Sequence, residues 1–320
     1  MRKLLSFMLV LAMMLTLTLS YAETEPALPR VVALKGPTAM GLTKMMTDEA
    51  ANYDFQVVGA VDEIGPMLIK GEVDIAAVPA NLASVLYNKT EGKVQVLAVN
   101  TMGVLYIVEN GDTIHSVEDL RGKTIYTSGQ GATPEYALNF ILSANGLDPA
   151  KDVTIDFRSE HTECLTALLA NEGSVAMLPQ PFLTTAMMKQ EGIRMALDLN
   201  TEWAKLQEGQ ENPSALITGV MVVRTDYAAA HPEEVAAFMT SYAASVDYVN
   251  ANPEEAAKLI ASFDIVPEAV AAKALPYCQI VYIDGAEMKE MLSGYLKVLH
   301  DQNPQAVGGT LPGDAFYYEK

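Results

Sequence analysis

The stretch Ile69-Lys-Gly-Glu-Val-Asp-Ile-Ala-Ala-Val-Pro-Ala-Asn81 decides the fold, because a related stretch follows 100 positions later without a gap. That second copy reads Leu169-Ala-Asn-Glu-Gly-Ser-Val-Ala-Met-Leu-Pro-Gln-Pro181, and further along Asn100 matches Asn200. Solenoid repeats have units of roughly 20 to 50 residues, so a longer period indicates a duplicated domain. The sequence therefore predicts two similar α/β lobes, and small ligands commonly bind in the cleft between such lobes.

The first 22 residues have the three parts of an export signal. A basic start at Arg2 and Lys3 precedes an uncharged apolar run to Leu19, and Ser20-Tyr21-Ala22 ends the segment. We expect a signal peptide over residues 1–22 with cleavage after Ala22, and a periplasmic or extracellular protein. A membrane anchor is the alternative, because the apolar run is just shorter than the roughly 17 residues that span a bilayer. No cysteine lies near the cleavage site, so a lipid anchor is not expected.

The composition describes an acidic globular protein. The formal net charge is −19, and 50% of the residues are hydrophobic. This charge makes nucleic acid and anionic membrane surfaces poor partners, while the apolar content is sufficient for two domains with their own cores. Cys164 and Cys278 have neither CxxC nor metal-ligand spacing, so buried free thiols are expected and a disulfide is the alternative.

The sequence predicts no catalytic residue, no metal site and no cofactor. None of the four histidines lies in an HExxH or cysteine-rich context. Gly129-Gln-Gly131 resembles part of a dinucleotide fingerprint, but Pro134 stands where the third glycine belongs and no acidic residue follows at the required spacing.

Short β-type runs alternate with helical patterns along the chain, which predicts α/β lobes with mainly parallel sheets flanked by helices. The turn-rich segment Glu109–Asp112 ends the first series of runs. We therefore predict a discontinuous lobe 1 over residues 23–111 and 216–320, and a lobe 2 over residues 112–215. Prolines that open the C-terminal helical patterns support helices there, and we expect these helices to pack on lobe 1. The chain crossings near Tyr106–Asp112 and Gln210–Ile217 are then expected to form a hinge.

Four loops that follow strands and open helices are the predicted ligand contacts, because backbone N–H groups at helix starts face outward there. Two are the glycine-rich loops Lys35–Gly41 and Ser128–Pro134, and two follow the repeated prolines at positions 79 and 179. Asn81 and Gln180 each offer a hydrogen-bond donor and an acceptor. The alternative is that glycine and proline only make tight turns.

Two further positions have open alternatives. Glu160 or His161 either contacts the ligand or belongs to a helix-capping segment with Ser159 and Thr162. Trp203, the only tryptophan, either stacks on a ligand ring or packs against its own lobe.

The chain resembles the periplasmic solute-binding proteins of ABC importers with the type II fold, in the branch that binds sulfonates, taurine, nitrate and thiamine precursors. The resemblance covers residues 29–318. It is carried by Gly-Glu-Val-Asp-Ile-Ala-Ala-Val-Pro-Ala-Asn at 71–81, Leu-Arg-Gly-Lys-Thr-Ile at 120–125 and Thr-Gly-Val-Met-Val-Val-Arg at 218–224.

The resemblance implies a hinged, monomeric clamp that closes on a small molecule and presents it to a membrane permease and ATPase. With the loop analysis, it gives these expected ligand contacts: Lys35, Gly36, Pro37, Thr38, Ala39, Ala80, Asn81, Gly131, Ala132, Thr133, Glu160, Gln180, Thr218 and Gly219.

Two solute classes fit the sequence. Helix starts and Lys35 favour a sulfonate-like anion, whereas Glu160 and the amide side chains favour a nitrogen heterocycle. The functional alternatives are a thiamine-pyrimidine-synthase-like enzyme on the same fold and an exported sensor binding protein. The enzymes of that kind carry a cluster of cysteines with a histidine, and this chain has two isolated cysteines.

Overall fold

The computed structural model describes residues 28–210 and 213–319, so the predicted signal peptide at 1–22 lies outside the described residues. The described chain contains two β-sheets, each flanked by helices. The strands are β1 (Arg30–Leu34), β2 (Asp54–Val58), β3 (Ile75–Pro79), β4 (Val94–Met102), β5 (Leu105–Asn110), β6 (Thr124–Thr127), β7 (Thr154–Phe157), β8 (Val175–Pro179), β9 (Ile193–Asp198), β10 (Ile217–Arg224) and β11 (Ile280–Ile283).

Helices precede or follow most of these strands. They are α1 (Pro37–Met40), α2 (Thr43–Asp48), α3 (Val61–Lys70), α4 (Ala80–Lys89), α5 (Thr133–Ala144), α6 (His161–Ala170), α7 (Phe182–Lys189), α8 (Leu199–Gln207), α9 (Thr225–Ala230), α10 (Pro232–Ala251), α11 (Pro253–Ser262), α12 (Glu268–Ala274) and α13 (Gly285–Gln302). Short 3₁₀ turns at Val117–Leu120, Leu275–Tyr277, Pro304–Val307 and Asp314–Phe316 complete the described elements.

Both sheets are mixed. The six-stranded sheet has the order β11-β4-β10-β3-β1-β2, and the five-stranded sheet has the order β7-β6-β8-β5-β9. In each sheet four strands run in the same direction, namely β1 to β4 in the first and β6 to β9 in the second, and the other strands run the opposite way. The predicted α/β fold with two lobes flanked by helices is confirmed, and β5 and β10, the strands next to the chain crossings, run against their neighbours in each sheet.

The repeat of the sequence is present as a repeat of structure. Helices α3 and α6 begin and end 100 positions apart, and strands β3 and β8 do the same. Each of those strands ends at a proline that precedes a loop or helix start. The two lobes, meaning each sheet with its flanking helices, therefore share one β-α-β-α unit.

Strand β5 corrects the predicted end of the first lobe at residue 111. It pairs with β8 and β9 inside the five-stranded sheet, and all of its residues are buried. The chain therefore crosses between the lobes at Gly103-Val104, before β5. The turn at Glu109–Asp112 follows the strand and does not separate the lobes.

At each crossing an asparagine of the repeat packs on a glycine. A Cβ atom placed on Gly103 would lie 2.5 Å from Oδ1 of Asn200, and one placed on Gly219 would lie 2.5 Å from Oδ1 of Asn100. Real Cβ atoms do not approach other atoms this closely. Only glycine therefore allows the two crossing segments to lie where they do.

The C-terminal helices contact both lobes. Phe238 and Tyr242 of α10 belong to a buried cluster with Val31 of the first sheet. In α13, Tyr295 is fully buried, and its ring centroid lies 5.5 Å from that of Trp203 in the second lobe. Helix α13 therefore packs on both lobes, which extends the prediction that the C-terminal helices cover the first lobe. Cys164 and Cys278 are both buried and unpaired.

A buried ion pair fixes the end of β5. The side chain of Glu109 is fully buried, and its carboxylate accepts hydrogen bonds from Thr113 and Ile114 while it contacts Arg194 at 2.8 Å. Burial acts to raise the pKa of Glu109, but the hydrogen bonds from Thr113 and Ile114 and the charge of Arg194 outweigh it and lower the pKa. The pair joins β5, β9 and the loop that follows β5.

We expect Arg194→Met to lower the free energy of unfolding by about 3–5 kcal/mol, because it leaves the buried Glu109 carboxylate without its counter-charge. Arg121→Met is the control. The side chain of Arg121 is 55% exposed in its ion pair with Asp152, and exposed pairs contribute about 0–1 kcal/mol. Urea unfolding at neutral pH measures both variants. Equal losses would contradict the role of the buried pair.

Candidate ligand-binding site

A cleft of about 440 Å³ lies between the two lobes. Ligand pockets commonly have volumes of about 300–1,000 Å³, so a small organic molecule fits. The first lobe contributes Leu34, Lys35, Gly36, Gly59, Ala60, Val61, Pro79, Asp264, Ile265, Val266 and Pro267. The second lobe contributes Ser128, Gly129, Ala132, Pro134, Ser159, Glu160, His161, Thr162, Leu165, Phe182, Thr185 and Lys189.

The cleft lies at the carboxyl ends of parallel strands in both sheets. Lining residues directly follow β1, β2 and β6, Ser159 lies two positions after β7, and Pro79 is the last residue of β3. In open α/β sheets, ligands bind at this edge, where chains leave strands and enter helices. The position of the cleft therefore follows from the strand order.

Five helices of eight or more residues begin at the cleft, namely α3, α4, α5, α6 and α7. The first turns of α4 and α7 contain no acidic residue, whereas α3, α5 and α6 each carry a glutamate at the third position that accepts a backbone N–H from just before the helix. Glu63 accepts from Ala60 at 3.0 Å, Glu135 from Gly131 at 2.6 Å and Glu163 from Ser159 at 3.1 Å. These side chains stabilise the helix starts.

One wall of the cleft holds a hydrogen-bonded serine and histidine. Oγ of Ser128 lies 2.7 Å from Nδ1 of His161, and the His161 ring centroid lies 5.0 Å from that of Phe182. Burial lowers the pKa of His161 to about 4. The imidazole is therefore neutral at pH 7, so that its two ring nitrogens provide one donor and one acceptor.

Four charged side chains line the cleft. Nζ of Lys35 lies 3.4 Å from Oδ2 of Asp264, and both side chains are exposed. Glu160 accepts a hydrogen bond from Oγ1 of Thr162 at 3.0 Å. Lys189 lies on the second lobe. The lining therefore carries equal numbers of positive and negative side chains.

The structure brings only part of the predicted ligand contacts to this cleft. Lys35, Gly36, Ala132 and Glu160 line it. His161, the predicted alternative to Glu160, lines it as well. The other predicted residues lie outside the lining: Pro37, Thr38, Ala39, Ala80, Asn81, Gly131, Thr133, Gln180, Thr218 and Gly219.

Asn81 and Thr133 form a buried interlobe joint with Gly131 and Tyr295. Nδ2 of Asn81 donates to the carbonyl of Gly131 at 3.2 Å, and Oγ1 of Thr133 donates to Oδ1 of Asn81 at 3.3 Å. The Tyr295 hydroxyl donates to Oγ1 of Thr133 at 3.3 Å. Asn81 also donates to the carbonyl of Ala306 at 3.0 Å. These polar groups bind each other across the lobes, so in this arrangement they are not available to a ligand.

Several other predicted contacts are used inside a lobe. Oε1 of Gln180 accepts from Oγ1 of Thr184 at 2.8 Å, and Oγ1 of Thr218 donates to the carbonyl of Met102 at 2.6 Å. Trp203 is buried and donates to Oγ of Ser214 at 3.1 Å. The alternative in which Trp203 packs within the protein is therefore the one that the structure shows.

Sequence reasoning missed three sets of lining residues, namely Gly59 with Ala60, Asp264–Pro267, and Phe182. Gly59 and Ala60 stand at the repeat positions of Ser159 and Glu160, so the offset of 100 contained the signal for them. Asp264–Pro267, between α11 and α12, has no such signal, because only the packing of the C-terminal helices brings this segment to the cleft. Phe182 was missed because an apolar residue at a helix start is also typical of a core position.

Across residues 28–210 and 213–319, no helix has the length and apolarity needed to cross a membrane. In the same part of the chain, no group of three histidine, cysteine, aspartate or glutamate side chains is arranged to hold a metal ion.

A protein family described as "ABC transporter, phosphonate, periplasmic substrate-binding protein" matches residues 42–274. The match covers more than half of the chain, and the chain therefore belongs to this family. The predicted resemblance to type II periplasmic solute-binding proteins is confirmed. The family consists of substrate-binding proteins and not of enzymes, and membership implies an extracytoplasmic location. No curated protein sequence matches this chain.

Solved structures of similar fold include an ABC transporter from Parabacteroides distasonis, with 25% identity and a TM-score of 0.77 over 92% of this chain and 100% of that one. The periplasmic aliphatic sulphonate binding protein SsuA from Escherichia coli has 14% identity and a TM-score of 0.73 over 92% and 93%. The alkanesulfonate-binding protein SsuA from Xanthomonas axonopodis pv. citri, bound to MOPS, has 16% identity and a TM-score of 0.68 over 91% and 96%.

We expect His161→Gln to flatten the pH dependence of stability. Because the pKa of His161 falls to about 4 on folding, the neutral ring contributes stability above about pH 6.5, and this contribution is lost as the pH falls toward 4. Melting temperatures at about pH 7 and pH 4.5 measure the effect. The control is His115→Gln, because the side chain of His115 is 65% exposed. An unchanged slope in the His161 variant would contradict the partly buried, neutral ring.

We expect Asn81→Ala to lower the free energy of unfolding of the ligand-free protein, because each buried polar group left unpaired costs about 1–3 kcal/mol. We also expect the two lobes to separate in this variant. Asn88→Ala is the control, since its amide binds the carbonyls of Val307 and Thr310 within the first lobe. Urea unfolding and the radius of gyration from small-angle scattering are the measurements. If Asn81→Ala kept its stability and its radius of gyration but lost ligand binding, the original prediction that Asn81 contacts the ligand would be supported instead.

Proposed function

We propose that this member of the family captures a small organic solute in the cleft between its lobes and presents it to the permease and ATPase of an ABC importer. The observation that carries the proposal is the cleft itself. It has a volume of about 440 Å³ and is walled by strand-to-helix loops of both lobes. A ligand held there contacts both lobes at once, so binding favours the closed arrangement of the two.

The sequence supports a proposal for how the protein is exported and how its lobes close. We propose that residues 1–22 are removed after Ala22 during export and that the mature protein acts as a monomer. The two crossings between lobes would then serve as the hinge, with Gly103 and Gly219 in contact with the paired asparagines. Four of the residues proposed to contact the solute are Lys35, Gly36, Ala132 and Glu160, which line the cleft.

Two solute classes are compatible with the site. The relatives of similar fold include sulfonate-binding proteins, and the helix starts at the cleft supply outward N–H groups for an anionic head. A nitrogen heterocycle is the other class, because Ser128 and His161 offer hydrogen-bond donors and acceptors beside the Phe182 ring. Apolar side chains such as Leu34, Leu165 and Val266 can hold the body of either solute.

We expect a thermal-shift screen of residues 23–320, refolded to remove bound solute, to give hits among sulfonates, phosphonates, pyrimidines and related heterocycles. A ligand at 100 times its Kd stabilises the folded protein by about 2.7 kcal/mol. Gly59→Trp should abolish the shift, because Gly59 lines the cleft with open space before it. The matched control Gly313→Trp has equal open space outside the cleft and should keep the shift.

The import step needs its own readout. The loaded protein should stimulate ATP hydrolysis by liposomes that contain its cognate ABC permease and ATPase, and the Gly59→Trp variant should not. A screen without any hit, or hits that Gly59→Trp leaves unchanged, would contradict solute capture in this cleft. Hits without stimulation would contradict delivery to that importer and would favour an exported sensor.

A further inference from the structure

We infer that the cleft selects a solute without net charge, of the nitrogen-heterocycle class, and discriminates against dianions such as alkylphosphonates. This inference rests on the proposed function, because it names the solute that the same cleft captures. It is carried by the charge balance of the lining, by the acidic side chains at the helix starts and by the Ser128, His161 and Phe182 wall.

The lining offers no surplus of positive charge. Lys35 pairs with Asp264 at 3.4 Å, and Lys189 and Glu160 complete the charged lining, so the four formal charges sum to zero. No arginine stands among the described residues of the lining. Arginine is the side chain that binds phosphate-type oxygens with two parallel hydrogen bonds, whereas lysine acts as a single point charge. A dianion would therefore bring two charges into a cleft that has no net charge with which to balance them.

Three of the helix starts at the cleft do not supply the missing positive charge, while α4 and α7 begin there without an acidic residue in the first turn. A helix N-terminus is equivalent to about +0.5 of an elementary charge. At α3, α5 and α6, however, Glu63, Glu135 and Glu163 already bind the backbone N–H just before the helix. Each carboxylate brings a full negative charge, which is about twice the size of the dipole charge and of opposite sign. At these three helix starts the local field thus opposes an anion.

The remaining polar groups suit the edge of an uncharged ring. His161 is hydrogen-bonded to Ser128 and is neutral at pH 7, so it can donate to or accept from a ligand without adding charge. Phe182, whose ring lies 5.0 Å from the His161 ring, gives a planar solute an aromatic contact. A ring with both donors and acceptors on its edge satisfies these groups together.

The test compares three ligands that share one ring and differ only in the charge of one substituent. Pyridine-3-carboxamide is neutral, pyridine-3-sulfonate carries one negative charge, and pyridine-3-phosphonate carries close to two at about pH 8. Isothermal titration with the refolded mature protein gives each Kd. We expect the carboxamide to bind at least about tenfold more tightly than the phosphonate, which corresponds to about 1.4 kcal/mol, with the sulfonate between them.

A triple variant tests the cause of this order. Glu63→Gln, Glu135→Gln and Glu163→Gln in one protein keep an oxygen acceptor at each helix start and remove the three charges. We expect the phosphonate to gain affinity by at least about tenfold while the Kd of the carboxamide changes little. The control carries Glu233→Gln, Glu254→Gln and Glu290→Gln, three exposed positions outside the lining, so that the net charge changes by the same amount.

A phosphonate that binds as tightly as the carboxamide, or equal effects of the two triple variants, would overturn the inference. Failure of all three pyridines to bind would overturn it as well, because a single substituted ring fits a volume of about 440 Å³. The solute screen separates this result from failure of the proposed function. A hit there that Gly59→Trp abolishes shows that the cleft still captures a solute of another class.

Discussion

The close packing of an asparagine on a glycine at each lobe crossing is the constraint on which the arrangement of the two lobes depends. Asn200 closes over Gly103 and Asn100 closes over Gly219, each at a distance that leaves no room for a Cβ atom. The two asparagines occupy matching positions in the repeat. The repeat thus supplies the asparagine at both crossings. A side chain at Gly103 or Gly219 would push the crossing segment away from the asparagine that packs on it.

The loops that follow the strands have two separate functions in this arrangement. On the cleft side, Pro79 and Ala132 form part of its wall. Behind them, the neighbouring Asn81 and Thr133 bind each other in the interlobe joint. The two sets lie one or two residues apart in the chain, so the wall of the cleft and the interlobe joint belong to the same short loops.

The sequence was sufficient for the fold and for some of the site. The offset of 100 identified the repeated unit, and the glycine-rich loops identified the edge where the cleft lies. It was not sufficient to assign Asn81, because an amide that can bind a ligand can bind two backbone carbonyls equally well. Only the tertiary contacts decide between these two roles. Strand β5 was assigned to the wrong lobe for a similar reason, since an apolar run does not state which sheet it joins. Asp264–Pro267 reaches the cleft only through helix packing.

Family membership and local electrostatics give different information about the solute. The family description names phosphonates, but specificity is a difference between affinities, and it depends on the groups that a wrong solute would leave unbalanced. In this cleft the glutamates at the helix starts stabilise the fold and at the same time repel anions. Their role in capping is local and would be kept by glutamine, whereas glutamine would remove their charge. A fold that binds anions in its relatives can therefore hold an uncharged solute here through three carboxylates that need not touch it.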